Sequence, residues 1–362
     1  LLTGLCLGAG GVLLSWLGNP ANSGICVSCF LENTAGALGL HGDIRMQYIR
    51  PELIGFVLGA FALALGNREL RAVSSGTFLL RFFVGLVLMV GCAVFMGCPI
   101  KLLLRLGAGD LTALVGLAGL VAGVFIGLKF VEGGFSLGRG APVPAGNACL
   151  VPGFMVALLL LLVLEPAFVA FSEKGSGAQR APLLASLAIG LLLGGLAQRT
   201  RFCVTAGIAR VFLWGPRELP GCPASIRMLA GLGMALLSVL LVSLMTGQFQ
   251  LGVVGQPSSN ESYGWAFLGM LAVGFGSILI RGCPFRQLVL AGSGDVDAGG
   301  AVLGMLVGAA LVQSWDLAGN AAGTPFTGQM AVLVGLVFLF AVGLLFRARM
   351  PAPGARTEGS DS

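Results

Sequence analysis

Gly97-Cys98-Pro99-Ile100-Lys101 returns 185 positions later as Gly282-Cys283-Pro284-Phe285-Arg286, each time where a long apolar run gives way to a polar break. The same displacement pairs Gly91 with Gly276, Gly107 with Gly292, Gly109 with Gly294, Asp110 with Asp295, Gly119 with Gly304 and Gly123 with Gly308. Single glycine matches are cheap in a glycine-rich chain. Gly-Cys-Pro, a base two residues later and Gly-x-Gly-Asp in one register are not, and they indicate an internal duplication. A third tripeptide, Gly221-Cys222-Pro223, follows a polar loop and has Ser225 in place of the base, so it reads as chance. Apolar segments interrupted by Gly and Pro at corresponding places in two halves point to a transporter's binding site.

Working outward, 56% of the 362 residues are hydrophobic and only 10% charged, with a mean hydropathy of +0.96. Soluble domains carry about a quarter charged residues, so the chain is expected to be an all-α, multi-pass membrane protein. Its 59 glycines suit close helix packing in lipid. The net charge of +6 comes from bases scattered singly and in pairs between the apolar runs, which excludes a nucleic-acid surface. The nine cysteines are unpaired in spacing, and several lie within spans, so free thiols are expected. Residue 1 is Leu rather than Met, so the true start is expected to precede the numbered chain.

In order, the hydropathy gives spans at Leu1–Leu17, Glu52–Leu65, Leu79–Gly97, Leu111–Val131, Val151–Phe171, Pro182–Ala197, Arg227–Thr246, Gly264–Ile280, Val296–Gln313 and Met330–Phe346. Short segments too brief to cross follow Cys26, Cys98, Cys203 and Cys283. The expected division is a first repeat over 1–131, a linker with one unpaired span over 132–181, a second repeat over 182–313, a last span over 314–347 and a disordered cytosolic tail over 348–362. Asp110 and Asp295 read as helix caps opening the next spans. With both termini inside, six of the 21 Lys and Arg fall outside (Arg45, Arg50, Lys101, Arg105, Lys174, Arg180) and the other fifteen inside. The loops without a base, Gly247–Tyr263 and Ser314–Gly328, are then outside. Five spans separate equivalent points, so the halves are inverted and the short segments re-enter from opposite faces, as in an hourglass.

A thiol where each short helix begins meets the free N–H groups and partial positive charge of that terminus, an arrangement that favours an anion. Lys101, Arg105, Arg199, Arg201, Arg281 and Arg286 lie near the breaks and would draw an anion to both mouths. Acidic residues in the spans keep to the ends (Glu52, Glu165, Asp297), leaving no mid-membrane proton or metal site. Polarisable sulfur suits a soft sulfur or selenium atom better than a hard oxyanion. Cys98 and Cys283 are the first candidates for the substrate path, followed by Cys26 and Cys203, whose 177-residue spacing matches only in the following Val and hydroxyl residue. Cys6, Cys92, Cys149 and Cys222 read as packing residues. Cys26-x-x-Cys29 also fits a redox pair, and a lone CxxC without a suitable His is a weak metal signal; His41 decides nothing.

These breaks and the duplicated Gly-Cys-Pro resemble the YeeE/YedE family of bacterial inner-membrane sulfur-compound transporters over nearly the whole chain. Gly18-Asn19-Pro20-Ala21-Asn22-Ser23-Gly24-Ile25-Cys26-Val27-Ser28-Cys29-Phe30 with Ala35-Gly36-Ala37-Leu38-Gly39-Leu40-His41 is similar to its selenium-associated YedE branch. The resemblance implies an hourglass of inverted repeats passing a thiosulfate-like anion between thiols at Cys98 and Cys283, Cys26 and, least directly, Cys203. Cys29 has no counterpart in the second half. The resemblance also implies handover to a small cytosolic sulfur-carrier (TusA-like) protein on the basic inner face. No cofactor, metal or enzymatic activity is expected, and no Walker-type nucleotide motif is present. The alternative is a membrane thiol–disulfide oxidoreductase using Cys26 and Cys29.

Overall fold

The computed structural model describes residues 1–218 and 223–347, with side chains described up to 213 and from 227 onward. Gly221 and Cys222 of the third tripeptide, and the tail expected to be disordered, lie outside the described residues. Among the described residues the architecture is helical. The helices are α1 (Leu2–Trp16), α2 (Val27–Ala37), α3 (Pro51–Gly66), α4 (Phe78–Phe95), α5 (Pro99–Gly107), α6 (Ala113–Glu132), α7 (Leu150–Leu164), α8 (Leu183–Thr200), α9 (Val204–Glu218), α10 (Pro223–Met245), α11 (Tyr263–Leu279), α12 (Pro284–Gly292), α13 (Val296–Ser314) and α14 (Phe326–Leu345). The strands β1 (Val73–Ser74) and β2 (Ala141–Pro142) form one short ribbon. Among the described residues, eight helical segments are long and apolar enough to cross a membrane, and α1 and α3 are shorter apolar helices.

The duplicated sequence is duplicated in backbone geometry. Met96 and Arg281, 185 positions apart, both end a helix in the left-handed region at φ 65°. The next residues, Gly97 and Gly282, then donate their N–H groups back to Cys92 and Ser277 at 2.7 Å, satisfying carbonyls that the helix end would leave orphaned. Cys98 and Cys283 follow in extended conformation as N-caps, and Pro99 and Pro284 open α5 and α12 at the position where a missing N–H costs nothing. Each of these short helices closes alike, with Asp110 N–H donating to the Arg105 carbonyl and Asp295 N–H to that of Leu290.

The two halves pack on each other by exchanging partners: α4 lies against α13 and α6 against α11, while α1 lies against α10 and α3 against α8. Glycine makes these approaches possible. A Cβ at Gly119 would strike the Phe267 carbonyl and one at Gly304 the Phe82 carbonyl, and Gly123 and Gly308 face Leu271 and Leu86 in the same way. Both sides of each contact shift by 185 positions, so the repeat extends to the packing.

Two boundaries differ from the hydropathy reading. The span expected to reach Phe171 ends as α7 at Leu164, because Glu165 turns left-handed (φ 44°) ahead of Pro166, which disfavours helix at the residue before it. Asp295 caps α13, accepting the Ala298 N–H at 2.9 Å. The formal cap of α6 is Thr112, whose N–H Asp110 accepts from outside the helix.

Gly119→Val and Gly304→Val should each destabilise the protein by about 1–3 kcal/mol or more through overpacking. Gly264→Ala, where an added methyl meets nothing within 4 Å, should be neutral or stabilising. Thermal unfolding in detergent checks all three.

Candidate functional site

Four helices, α2, α5, α9 and α12, each begin at the residue after a cysteine, Cys26, Cys98, Cys203 and Cys283; α9, with 15 residues, is longer than the brief segment expected there. These thiols are at most 2% exposed. They gather into two clusters.

In the first cluster Cys26 caps α2, its sulfur accepting the Cys29 N–H at 3.4 Å. The Cys26 and Cys29 sulfurs are 2.7 Å apart, and the Ser28 hydroxyl lies 3.4 Å from Cys26 Sγ. Cys98, buried at the start of α5, neighbours Cys26. Lys101, in the first turn of α5, donates from Nζ to Cys29 Sγ at 3.7 Å. In the second cluster Cys203 Sγ lies 3.5 Å from Cys283 Sγ, accepts the Cys283 N–H at 3.5 Å and sits 3.2 Å from the Thr205 hydroxyl. The loose sequence match between Cys26-Val-Ser and Cys203-Val-Thr is therefore a geometric one, with a hydroxyl on the capping thiol in both clusters. Each thiol faces the N-terminal end of a helix, where peptide N–H groups favour a thiolate or a bound anion.

Cys29 is the thiol with access. It is half-buried and lines a cavity of about 310 Å³ together with Lys101, Arg50, Glu32, Asn33 and Ser258. Arg50 is 1% exposed, donates to Asn19 Oδ1 at 3.2 Å and to the Ser176 carbonyl, and lies over the Phe30 and Tyr48 rings.

The predicted bases divide. Lys101 is on the cavity wall. Arg105 is not: only 2% exposed, it pairs with Asp110 at 2.7 Å, donates to the Phe95 carbonyl and Thr112 hydroxyl, and stacks on Phe95. Its guanidinium is consumed in closing the turn between α5 and α6, so it attracts no anion. Arg286 of α12 donates to the Ala197 carbonyl at 3.2 Å beside the second cluster. Arg281 is exposed and donates to the Gly138 carbonyl, and Arg199 and Arg201 are exposed at the end of α8.

Two functional candidates escaped the sequence reading. Arg50 was placed as a loop base, although its position immediately before Pro51 at the head of a span was a signal of burial. Glu32 lies outside the spans to whose ends acidic residues were expected to keep, inside the short α2 at 5% exposure. Its signal was a lone carboxylate in a segment of small and apolar residues. Cys149, read as a packing residue, is exposed.

In protein carrying Ala at Cys6, Cys149 and Cys222, a brief pulse of hydrophilic maleimide should modify Cys29 well before Cys98, Cys203 or Cys283, read by peptide mass spectrometry. Lys101→Gln should slow that reaction several-fold, because the ammonium favours the reactive thiolate. Compared with known proteins, the chain matches no family model and no curated sequence.

Proposed function

We propose that the protein is a membrane transporter that imports a small sulfur- or selenium-containing anion, thiosulfate-like, along its buried thiols. The observation that carries this reading is the pair of thiol clusters at the starts of four helices, one of them opening through Cys29 and Lys101 to a cavity. In this reading α1 and α3 join the eight longer segments to make ten spans, α2, α5, α9 and α12 are re-entrant half-helices, and the repeats are inverted in a bacterial inner membrane with both termini cytoplasmic. Loop contacts support it. The first-cluster cavity is lined by Ser176, Ser258 and Gly319, from three loops that the charge count places outside. Loops placed inside also meet one another: Val73 N–H donates to Gly294, Ser136 N–H to Phe346, and β1 pairs with β2. The exposed Arg199, Arg201 and Arg281 would form the inner face for a sulfur-carrier protein.

A second reading is favoured by the 2.7 Å approach of the Cys26 and Cys29 sulfurs, which suits a membrane thiol–disulfide oxidoreductase. The two part on redox state. An oxidoreductase requires a reversible Cys26–Cys29 disulfide linked to turnover, whereas a conduit works with thiols that stay reduced. Differential labelling of both thiols before and after oxidant reads this directly.

The transport reading is tested by uptake of thiosulfate, selenite, sulfide and sulfate into proteoliposomes. Packing alone predicts that Cys98→Ala or Cys283→Ala costs about 1 kcal/mol of stability and leaves flux largely intact. Loss of one among several equivalent weak contacts predicts less than a tenfold loss of affinity. A relay predicts near-abolition of flux by either Ala variant at normal membrane abundance. The corresponding Ser variants should fail too, since they keep a hydrogen bond but lose the soft sulfur. Near-parental flux in both Ala variants would make the duplicated Gly-Cys-Pro a packing device.

A further inference from the structure

Glu32 has the surroundings of a proton site rather than of an ion-pair partner. Its Oε2 accepts from Gln313 Nε2 of α13 at 2.7 Å, and its side chain lines the cavity that Cys29 and Lys101 share. Among the described residues no cation lies within ion-pair distance of it. The groups around it are Cys26 and Cys29 on α2, Cys92 on α4, Lys101 on α5, Arg50 ahead of α3, and His41 and Asp43 in the loop after α2. The Asp43 N–H donates to His41 Nδ1, and His41 Nε2 lies 2.8 Å from the Glu32 carbonyl, so His41 meets the backbone of Glu32 and not its carboxyl. Glu32 shares the cavity with Lys101, so the charge on its wall depends on whether Glu32 holds its proton.

We propose that Glu32 is a proton-binding site coupled to anion entry: protonation of its carboxyl and occupancy of the Cys29–Lys101 cavity by a small anion favour each other, so that anion and proton enter together. This rests on the transport reading. Ionised, Glu32 offsets the charge of Lys101 and repels an incoming anion. Protonated, it leaves Lys101 uncompensated for the anion and can itself donate a hydrogen bond, while Arg50 keeps Glu52 as its counter-charge through Asn19. Linkage is reciprocal, so a bound anion must raise the affinity for the proton by the same factor that the proton raises the affinity for the anion. A co-transported proton also cancels one of the charges that an anion carries against an inside-negative potential.

The probe is thiosulfate added to the full-length protein in lightly buffered detergent, with proton uptake followed by a pH dye and bound thiosulfate by equilibrium dialysis. Binding should draw protons from solution, and affinity should rise at least about fivefold from pH 8.5 to pH 5.5, the lower end of ordinary site-to-site coupling. Glu32→Gln, which keeps an acceptor for Gln313, should abolish the proton uptake and flatten the pH dependence of whatever binding remains. If that variant does not fold, the parental protein still decides, because a flat affinity overturns the proposal. Binding without proton uptake, or proton uptake that persists in Glu32→Gln, overturns the coupling and leaves the transport reading standing. No binding of thiosulfate, selenite or sulfide at any pH, together with no uptake, overturns both.

Discussion

A helix interrupted in a low-dielectric interior must find partners for the backbone groups it frees, and the structure is organised around how that is done. An unpaired backbone group buried away from water costs as much as a lost hydrogen bond or more. At both duplicated breaks the preceding helix closes on itself through a left-handed residue, Met96 or Arg281, and a glycine N–H at 2.7 Å from the helix behind it. The following helix opens with proline, which has no N–H to satisfy. What is left exposed is a first turn of N–H groups with a cysteine beside it. The thiol can stand there because it is small and only weakly polar, yet it turns sulfur towards the one positively polarised point that the break leaves open.

The same economy of space governs the packing. Glycines carried in the 185-residue register place helix backbones against each other across the halves, Gly119 on Phe267 and Gly304 on Phe82. Where hydrocarbon surrounds the helices, burying apolar side chains does not drive association, and close backbone contact does. The cluster geometry inherits this precision. Cys203 meets Cys283 at 3.5 Å only because α9 and α12 are both held from outside, α9 against α6 and α10, and α12 against α3 and α13.

Much of this was legible in the residues. The Gly-Cys-Pro register gave the breaks, their caps and the cross-packing glycines, because all three follow from local backbone chemistry that a repeat must preserve. The loose Cys26–Cys203 match understated the likeness, since spacing drifts with loop length while the capping geometry of thiol and hydroxyl does not. Arg105 misled for a different reason: proximity to a break in sequence does not say whether a guanidinium points outward, and Asp110, five residues on, claims it. Glu32 was passed over because its burial depends on a long-range partner, Gln313 of α13, which the short segment after Cys26 does not announce. Arg50 was hidden by the loop around it, whose fold onto Asn19, Ser176 and the Tyr48 ring is long-range and leaves no periodic trace.

Symmetry in the frame sits beside asymmetry in the chemistry, and the asymmetry carries the functional argument. Lys101 and Arg286 occupy the same register, yet Lys101 reaches Cys29 on a cavity wall while Arg286 is turned onto the Ala197 carbonyl. The first cluster has a third, accessible thiol and a buried carboxyl nearby; the second holds a closed thiol pair. A passive path through identical gates would need neither difference. A path that collects an anion on one side, under the control of a proton, and releases it on the other needs both: a wide, charged, titratable entrance and an exit lined by a thiol pair and the Thr205 hydroxyl. Under the proposed transport reading, the inverted frame supplies two equivalent constrictions, and the residues that break its symmetry, Cys29 and Glu32, set the direction of traffic between them.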